Sequence, residues 1–324
     1  MSPRARDLCW LAGLFVLLLA APFLAPNEYY LAVLTICCLN AMIVVGLNLL
    51  VGHAGQISLG HAAFFGLAAY ATAVLTATLK LPIPLGLAAG VGLSVLVALV
   101  IGIPALKLKG HYLAMATLGF GIIVSILLNE TVWLTGGPSG FTGIPRLALF
   151  GFEFASARSY SILASCVLCL IVLLALNLLH SRVGRALRAI HTSERAAQAV
   201  GIDIAAYKLF VFVLSAAFAG VAGVLYAHYL TFVAPSSFGF LFSVELIVMV
   251  VLGGMSSIPG SIAGAFFLTL LPEFLRAFEN IEVLLFGAIL VVCMIFMPDG
   301  LAGACGLAFR TARRRLARKE RADA

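Results

Sequence analysis

The sequence predicts an all-α membrane protein that crosses the bilayer many times. Hydrophobic residues make up 63% of the 324 residues and charged residues only 10%, and the mean hydropathy is +1.15. Soluble domains carry about 25% charged residues. Apolar runs recur along the chain, and each is long enough to cross about 30 Å of hydrocarbon as a helix. The sequence lacks the short alternating segments that are typical of a membrane β-barrel.

Hydropathy and helix breakers predict about ten spans. These are 8–25, 31–51, 56–79, 85–106, 111–128, 161–179, 209–230, 241–257, 260–277 and 281–298. Glycines and prolines interrupt the third, eighth and ninth spans, so eight spans with re-entrant segments are an alternative. Five spans in each half would give the two halves opposite orientations, which is the geometry of inverted-repeat transporters.

The basic residues predict the orientation of these spans. With ten spans, all but four of the 20 Lys and Arg residues fall on the side of both termini, and the four are Lys80, Arg146, Arg158 and Arg276. Because Lys and Arg concentrate in cytoplasmic loops, both termini are expected in the cytoplasm. Residues 1–309 then form a transmembrane domain, and 310–324 form a basic cytoplasmic tail near anionic lipid rather than nucleic acid.

The sequence lacks the motifs of an enzyme. It has no G-x-x-x-x-G-K-[ST] loop, no H-E-x-x-H and no G-x-G-x-x-G fingerprint. Its acids and histidines are scattered, so no catalytic residue is predicted. Cys166-x-x-Cys169 has no second pair at zinc-ligand spacing, so no metal site is predicted either.

The charged segment 180–208 predicts a docking element for a cytoplasmic protein. It contains a two-turn helix with Ser193 as N-cap, Glu194 in the first turn and Gly201 just past its end. Small alanines on this helix would let a partner approach closely. A loop that only lies on the membrane surface is the alternative. The predicted docking residues are Arg185, Arg188, Ser193, Glu194, Ala196, Ala197 and Gly201.

The stretch GLNLLVGHAGQISLGHAAFFG, 46–66, places polar residues and glycines inside an apolar region. Non-helical backbone at membrane depth is tolerated only beside protein or a water-filled cavity. The segment is therefore expected to break its helix and to line a translocation path, although interhelical hydrogen bonds and close packing are the alternative. The predicted breaks are Gly52, Gly55, Gly60, Gly253 and Gly254. The candidate path residues are Asn48, His53, Gln56, Ser58, His61 and Glu245.

Several motifs in order resemble one family of transport proteins. They include LNLLVGHAGQISLGHAAFFGLAAY at 47–70, GRALRAIHTSERAAQAVGI at 184–202 and VVLGGMSSIPG at 250–260. From about Leu31 to Leu301 the chain resembles the M-type (LivM-type) permease of branched-chain amino-acid ABC importers. The pattern from Glu194 to Gly201 resembles the coupling loop of such permeases. The chain departs from the family pattern at Ser256 and Asp299.

The resemblance implies a transport subunit without covalent chemistry of its own. It implies a bacterial inner-membrane assembly with a homologous permease, two cytoplasmic ATPase subunits and an external substrate-binding protein. ATP and magnesium would bind to the ATPase subunits, and this chain would need no cofactor. The implied cargo is leucine, isoleucine or valine. A urea or short-amide importer and an ion-driven secondary transporter are the alternatives.

Overall fold

The computed structural model consists mostly of helices, and these lie close to the predicted apolar runs. It describes residues 3–25, 27–106, 108, 110–149 and 151–275, and isolated residues between 287 and 303. Within this part of the chain, seven helices are long and apolar enough to cross a membrane, and two shorter apolar helices accompany them. The tenth predicted span lies almost wholly outside the described residues, as does the tail 310–324, so the count of ten stays a prediction.

The described helices are numbered in chain order. They are α1 Pro3–Leu24, α2 Glu28–Asn48, α3 His61–Ala73, α4 Ile83–Ala105, α5 His111–Glu130, α6 Val132–Thr135, α7 Ala157–His180, α8 Arg182–Thr192, α9 Glu194–Ala199, α10 Ile204–Leu230, α11 Phe240–Gly253 and α12 Ile258–Leu275. Two π-helical segments, Leu49–His53 and Val74–Thr78, continue α2 and α3. Two short 3-10 segments are Gly137–Ser139 and Pro235–Phe238.

Two small strand pairs lie in the connections between helices. Strand β1, Phe141–Thr142, pairs antiparallel with β4, Phe232–Val233. Strand β2, Ala148–Leu149, pairs antiparallel with β3, Phe152–Glu153. Strands β1, β2 and β3 lie between α5 and α7, and β4 follows α10. Because α7 ends and α10 begins beside α8 and α9, both pairs lie at the other end of the bundle. The two ends are called here the α8–α9 end and the opposite end.

The centre of the bundle is formed by α2, α3 and α10. Helix α10 packs against α2, α3 and α4, while α2 also packs against α7 and α12. Every residue of α2 from Cys37 to Asn48 is buried. A helix that is apolar on all sides is stable either inside a protein or against lipid, so its contacts with other helices place α2 at the centre. By contrast, α4 and α5 keep many large apolar side chains on the surface, such as Leu96 and Ile123.

Glycines let α3, α4 and α10 approach closely. A Cβ on Gly223 of α10 would lie 2.2 Å from the carbonyl oxygen of Phe65, and a Cβ on Gly90 of α4 would lie 2.8 Å from that of Ala68. Small residues are common between membrane helices because association in lipid depends on close van der Waals packing. Gly223 and Gly90 therefore permit the close spacing of α3, α4 and α10.

Several predicted span edges differ from the structure; α1, α7 and α10, for example, begin four or five residues before the predicted first, sixth and seventh spans. Three further differences concern the spans that glycines and prolines interrupt. The third span was expected over 56–79, but α3 begins only at His61 because the chain before it is non-helical. The eighth span was expected to reach 257, but α11 ends at Gly253 because Gly254 has φ +117, a value that only glycine adopts readily. The ninth helix begins at Ile258, two residues earlier than expected.

The close contact at Gly223 predicts a clear loss of stability. Gly223→Ala should lower the free energy of unfolding by about 1–3 kcal/mol, the usual cost of overpacking. The thermal unfolding midpoint of the purified protein in detergent measures this change. Gly92→Ala is the matched control, because a Cβ on Gly92 of α4 meets nothing within 4 Å. Equal midpoints for the two variants would contradict the packing role of Gly223.

Candidate translocation path and coupling helices

A break in the helical structure separates α2 from α3. Helix α2 first widens into the π-helical turn Leu49–His53, and the chain is then non-helical from Gly55 to Gly60. Gly55 has φ +67, in the left-handed region where a side chain is unfavourable. π-Helical turns are uncommon and are frequent at functional sites. The break lies within the segment where the sequence predicts it.

The broken segment presents one edge to the surface of this chain. Burial alternates along it, since Gly55 and Ile57 are exposed while Gln56 and Ser58 are buried. Among the described residues its backbone is only partly satisfied. Gln56 N donates to the Leu50 carbonyl at 3.1 Å, Leu59 N to the Thr117 hydroxyl at 3.0 Å, and the Gly60 carbonyl accepts from Ala63 N at 3.1 Å. Non-helical backbone of this kind does not face lipid. The exposed edge therefore requires water or another protein against it.

The first turn of α3 lies halfway along the bundle. The His61 ring nitrogen Nε2 lies 2.6 Å from the hydroxyl of Ser215, which is near the middle of α10. One turn later, Ser94, near the middle of α4, donates to the Phe64 carbonyl at 2.7 Å. Because α4 and α10 are both long enough to cross a membrane, α3 begins close to mid-membrane depth.

A second helix begins beside it. After β4 the chain turns back through Pro235–Phe238 into α11, and the Phe238 ring lies against Gly66 of α3. The backbone N–H of Ala62 then donates to the Ser243 hydroxyl at 3.2 Å, which joins the first turns of the two helices. Helix N-termini carry partial positive charge. The structure therefore brings two helix N-termini together at mid-bundle, as in transporters that bind anionic groups with half-helices.

Three predicted path residues carry buried polar atoms beside this junction. Gln56, Ser58 and His61 are each at most 2% exposed, and Gln56 Oε1, Ser58 Oγ and His61 Nδ1 have no hydrogen-bond partner in the described part of the chain. A buried polar atom without a partner costs about 1–3 kcal/mol. These atoms are therefore able to bind water or a polar solute without losing an existing bond.

Two other predicted path residues serve mainly to hold the end of α2. Asn48 Nδ2 donates to the Gly254 carbonyl at 3.1 Å, and the His53 ring lies 3.4 Å from the Asn48 carbonyl. Asn48 also has an unpartnered Oδ1 among the described residues. The first contact places Asn48 against the turn that follows α11, and the second joins His53 to the end of α2. The predicted group of path residues is thus divided into two sets.

The predicted glycine breaks also have two distinct roles. Gly55 and Gly60 border the non-helical segment, and Gly253 and Gly254 end α11. Gly52 lies inside the π-helical turn instead, where a Cβ would lie 1.3 Å from the Met255 carbonyl oxygen. Gly52 therefore permits close contact with the turn after α11, and the helix breaks only after it.

Glu245 lies apart from the buried path residues. Its side chain is exposed on α11, one turn after the exposed Leu241, and it makes no hydrogen bond or ion pair with the residues that the structure describes. Ionisable side chains in spans usually face a cavity or another protein rather than lipid. The exposed face of α11 around Glu245 therefore requires water or another protein against it, as the edge at Ile57 does.

The predicted capped helix is present at the α8–α9 end. The Ser193 hydroxyl accepts from the backbone N–H of Ala196 at 3.3 Å, and Gly201 has φ +82 just past the helix. Of the two predicted docking alanines, Ala196 is exposed but Ala197 is buried and packs inward. Val200, which is 75% exposed, adds an apolar side chain to the outer surface of α9.

Charged residues connect α8 and α9 to the membrane-spanning helices α7 and α10. Glu194 forms an ion pair with Lys208 at 2.6 Å, and Lys208 of α10 is only 9% exposed. Arg188 donates to the Leu179 carbonyl at 3.1 Å and Arg185 to the His180 carbonyl at 3.5 Å, so both arginines bond the last carbonyls of α7. Sequence reasoning missed Lys208, because 14 residues separate it from Glu194.

Helix α8 also reaches the broken segment. A Cβ on Gly55 would lie 3.0 Å from His191 Nδ1, and α8 packs against the π-helical turn. His191 lies two residues before the Ser193 cap, so one short connection joins the break to α9. Its position next to the capped helix was visible in the sequence, but its contact with Gly55 was not. Among the described residues, no group of three His, Cys, Asp or Glu side chains could hold a metal ion.

The mid-bundle junction of helix ends and the exposed capped helix define the class of membrane transport permeases. A family model described as branched-chain amino acid transport system / permease component matches residues 29–297. The chain therefore belongs to this family, and it is a permease subunit of an ABC importer.

Individual relatives extend over most of the chain. It is 35% identical to the high-affinity branched-chain amino acid transport system permease protein LivM of Escherichia coli, with 90% of this chain and 74% of LivM covered. It is 28% identical to LivH of the same organism, with 81% and 91% covered. It is 27% identical to BraD of Pseudomonas aeruginosa, with 83% and 93% covered. No solved structure matches the chain.

The backbone at Gly55 predicts an effect that a glycine in ordinary helical conformation would not show. Gly55→Ala should lower the free energy of unfolding by about 1–2 kcal/mol, because a left-handed backbone with a side chain is strained. Thermal unfolding in detergent measures the loss. Adding His191→Ala should remove only the close contact and leave the strain. Gly119→Ala is the control, since its Cβ meets nothing within 4 Å, and a Gly55→Ala protein as stable as this control would contradict the assignment.

Proposed function

We propose that this chain is the M-type permease subunit of an importer for leucine, isoleucine and valine. The observation that carries the proposal is the junction between the first turns of α3 and α11, together with the family to which the chain belongs. Two helix N-termini favour the carboxylate of an amino acid, and the surrounding apolar helices suit an aliphatic side chain. The name of LivM, the relative at 35% identity, supports the branched-chain class.

The proposed assembly has four kinds of subunit. The α8–α9 end and both termini lie in the cytoplasm of a bacterial cell, and ten spans cross the inner membrane. Two ATPase subunits bind the outer surface of α9 and its neighbours, where Ala196 and Val200 are exposed. An external substrate-binding protein delivers the amino acid to the opposite end, and a homologous permease completes the membrane part.

The path runs between this chain and the second permease. The exposed edge at Ile57 and the exposed carboxylate of Glu245 both need a covering of protein or water. A second permease beside α11 supplies this covering, and the space between the two chains holds water and solute. In this arrangement the broken segment borders that space, and its buried Gln56, Ser58 and His61 become available for hydrogen bonds to the solute when the segment moves.

Two contacts transmit movement from α9 to the path. The Glu194–Lys208 ion pair connects α9 to the beginning of α10, whose middle bonds His61 through Ser215. The contact between His191 and Gly55 connects α8 directly to the broken segment. Closure of the ATPase subunits on ATP displaces α9, and these contacts carry the displacement to the start of α3.

The first test of this proposal reverses the charge of Glu194. Glu194→Lys places two cations side by side and should reduce leucine uptake by the full importer to background. The double variant Glu194→Lys/Lys208→Glu restores the ion pair and should recover a measurable part of the uptake. Glu130→Lys, at the exposed end of α5, is the control and should transport normally. Unchanged uptake by Glu194→Lys would refute the coupling role.

A separate reconstitution tests the class of transporter. The purified chain alone in vesicles should accumulate no leucine when a proton or sodium gradient is imposed, because the energy comes from separate ATPase subunits. Accumulation under these conditions would favour the ion-driven alternative and would overturn the proposal. Uptake of urea rather than leucine by the full importer would replace only the proposed cargo.

The position of the second permease is tested by crosslinking. In a cysteine-free background, Ile57→Cys labelled with a short thiol-reactive reagent that carries a photoactivatable group should crosslink to the homologous permease when the full importer is irradiated. Leu99→Cys, on the exposed apolar side of α4, is the control and should give no product with that subunit. Equal crosslinking at both positions, or crosslinking at Leu99→Cys alone, would contradict the proposed interface.

A further inference from the structure

A pocket at the opposite end of the bundle lies outside the proposed path. It is formed where α2 and α7 begin and α10 ends, and its volume is about 330 Å³. Pockets of this size hold small ligands. Two charged and three aromatic side chains give it its chemical character, namely Glu28, Arg146, Phe154, Tyr160 and Tyr229. It is called here the Glu28–Arg146 pocket.

The walls of the pocket are fixed by hydrogen bonds. The His228 ring lies 2.8 Å from the Pro145 carbonyl, which holds the loop carrying Arg146 against the end of α10. The Tyr160 hydroxyl donates to the Leu225 carbonyl at 2.6 Å. The Tyr160 and Tyr229 rings also pack together, with their centroids 4.8 Å apart. A ligand therefore meets a preformed cavity with aromatic surface.

Two opposite charges line this cavity without pairing to each other. No ion pair within 4.0 Å joins Glu28 to Arg146, and neither side chain has another hydrogen bond or ion pair to the residues that the structure describes. The same cavity is lined by Ser156 and Ala157 at the start of α7, where the Ser156 hydroxyl accepts from the Ser159 N–H at 3.1 Å and the helix N-terminus carries partial positive charge. The pocket thus offers separate partners to a cation and to an anion.

We propose that the Glu28–Arg146 pocket binds a zwitterionic group. The Glu28 carboxylate accepts hydrogen bonds from an ammonium, and the Arg146 guanidinium donates to a phosphate or carboxylate. The phosphoethanolamine headgroup of a lipid and a free amino acid both carry this pair of charges. The pocket lies at the ends of three helices, at the level where lipid headgroups meet a membrane protein. This inference does not depend on the proposed cargo.

The lipid arm of the test measures which lipids the full chain retains. The protein in detergent is mixed with equal amounts of phosphatidylethanolamine and phosphatidylglycerol, and bound lipids are identified by native mass spectrometry. Phosphatidylethanolamine should be retained in preference. Glu28→Gln and Arg146→Gln should each reduce its retention about tenfold, because each removes a charged hydrogen-bond partner. Glu130→Gln and Lys80→Gln remove one charge of each sign outside the pocket and serve as matched controls.

The amino-acid arm uses the same variants without phosphatidylethanolamine. The chain is placed in phosphatidylglycerol nanodiscs, and binding of radiolabelled leucine is measured at equilibrium. Leucine binding that is lost in Glu28→Gln and Arg146→Gln identifies a free amino acid as the ligand, whereas selective lipid retention identifies the headgroup. Equal retention of both lipids without leucine binding overturns the proposal, as do pocket variants that behave like the controls. Neither arm involves transport, so a failure here is separate from a failure of the proposed function.

Discussion

The scarcity of water inside a bilayer is the constraint on which this structure depends. Every backbone N–H and carbonyl group in that region needs a partner within the protein, which is why nearly all of the described chain is helical. The break from Gly55 to Gly60 is the main departure. Side chains of neighbouring helices bond the backbone of the break and of the first turn of α3. Thr117 of α5 bonds the broken backbone, and Ser243 of α11 bonds the N–H of Ala62. Among the described residues, the side-chain atoms Gln56 Oε1 and Ser58 Oγ of the break remain without a partner.

Local features of this fold were readable from the sequence. The capping of α9 was predicted correctly because it depends on Ser193 and on residues within one turn of it. The position of the break was predicted to within a few residues, because clustered glycines and polar side chains weaken a helix at the point where they interrupt an apolar run. Most helices were located for a similar reason, since an apolar run of sufficient length has one stable form in lipid.

Contacts between distant residues were not readable in this way. Hydropathy cannot reveal that Ala197 packs inward while Ala196 stays exposed, because both are small and apolar. Gly52 was expected to break a helix, yet it serves close approach to Met255, and a glycine looks the same in either role. The partnership of Ala62 with Ser243 joins residues 181 positions apart. No alternation or spacing in one sequence encodes such a pair.

The bond between Ala62 and Ser243 has a mechanical consequence. A helix normally receives its N-terminal cap from a residue just before it, but here a hydroxyl on α11 bonds one of the first free N–H groups of α3. Any sliding of α11 relative to α3 would leave that N–H without its acceptor in a region that has little water to replace it. The bond thus holds α3 and α11 together. The two helices separate only when another acceptor, from solvent or a passing solute, replaces the Ser243 hydroxyl at the Ala62 N–H.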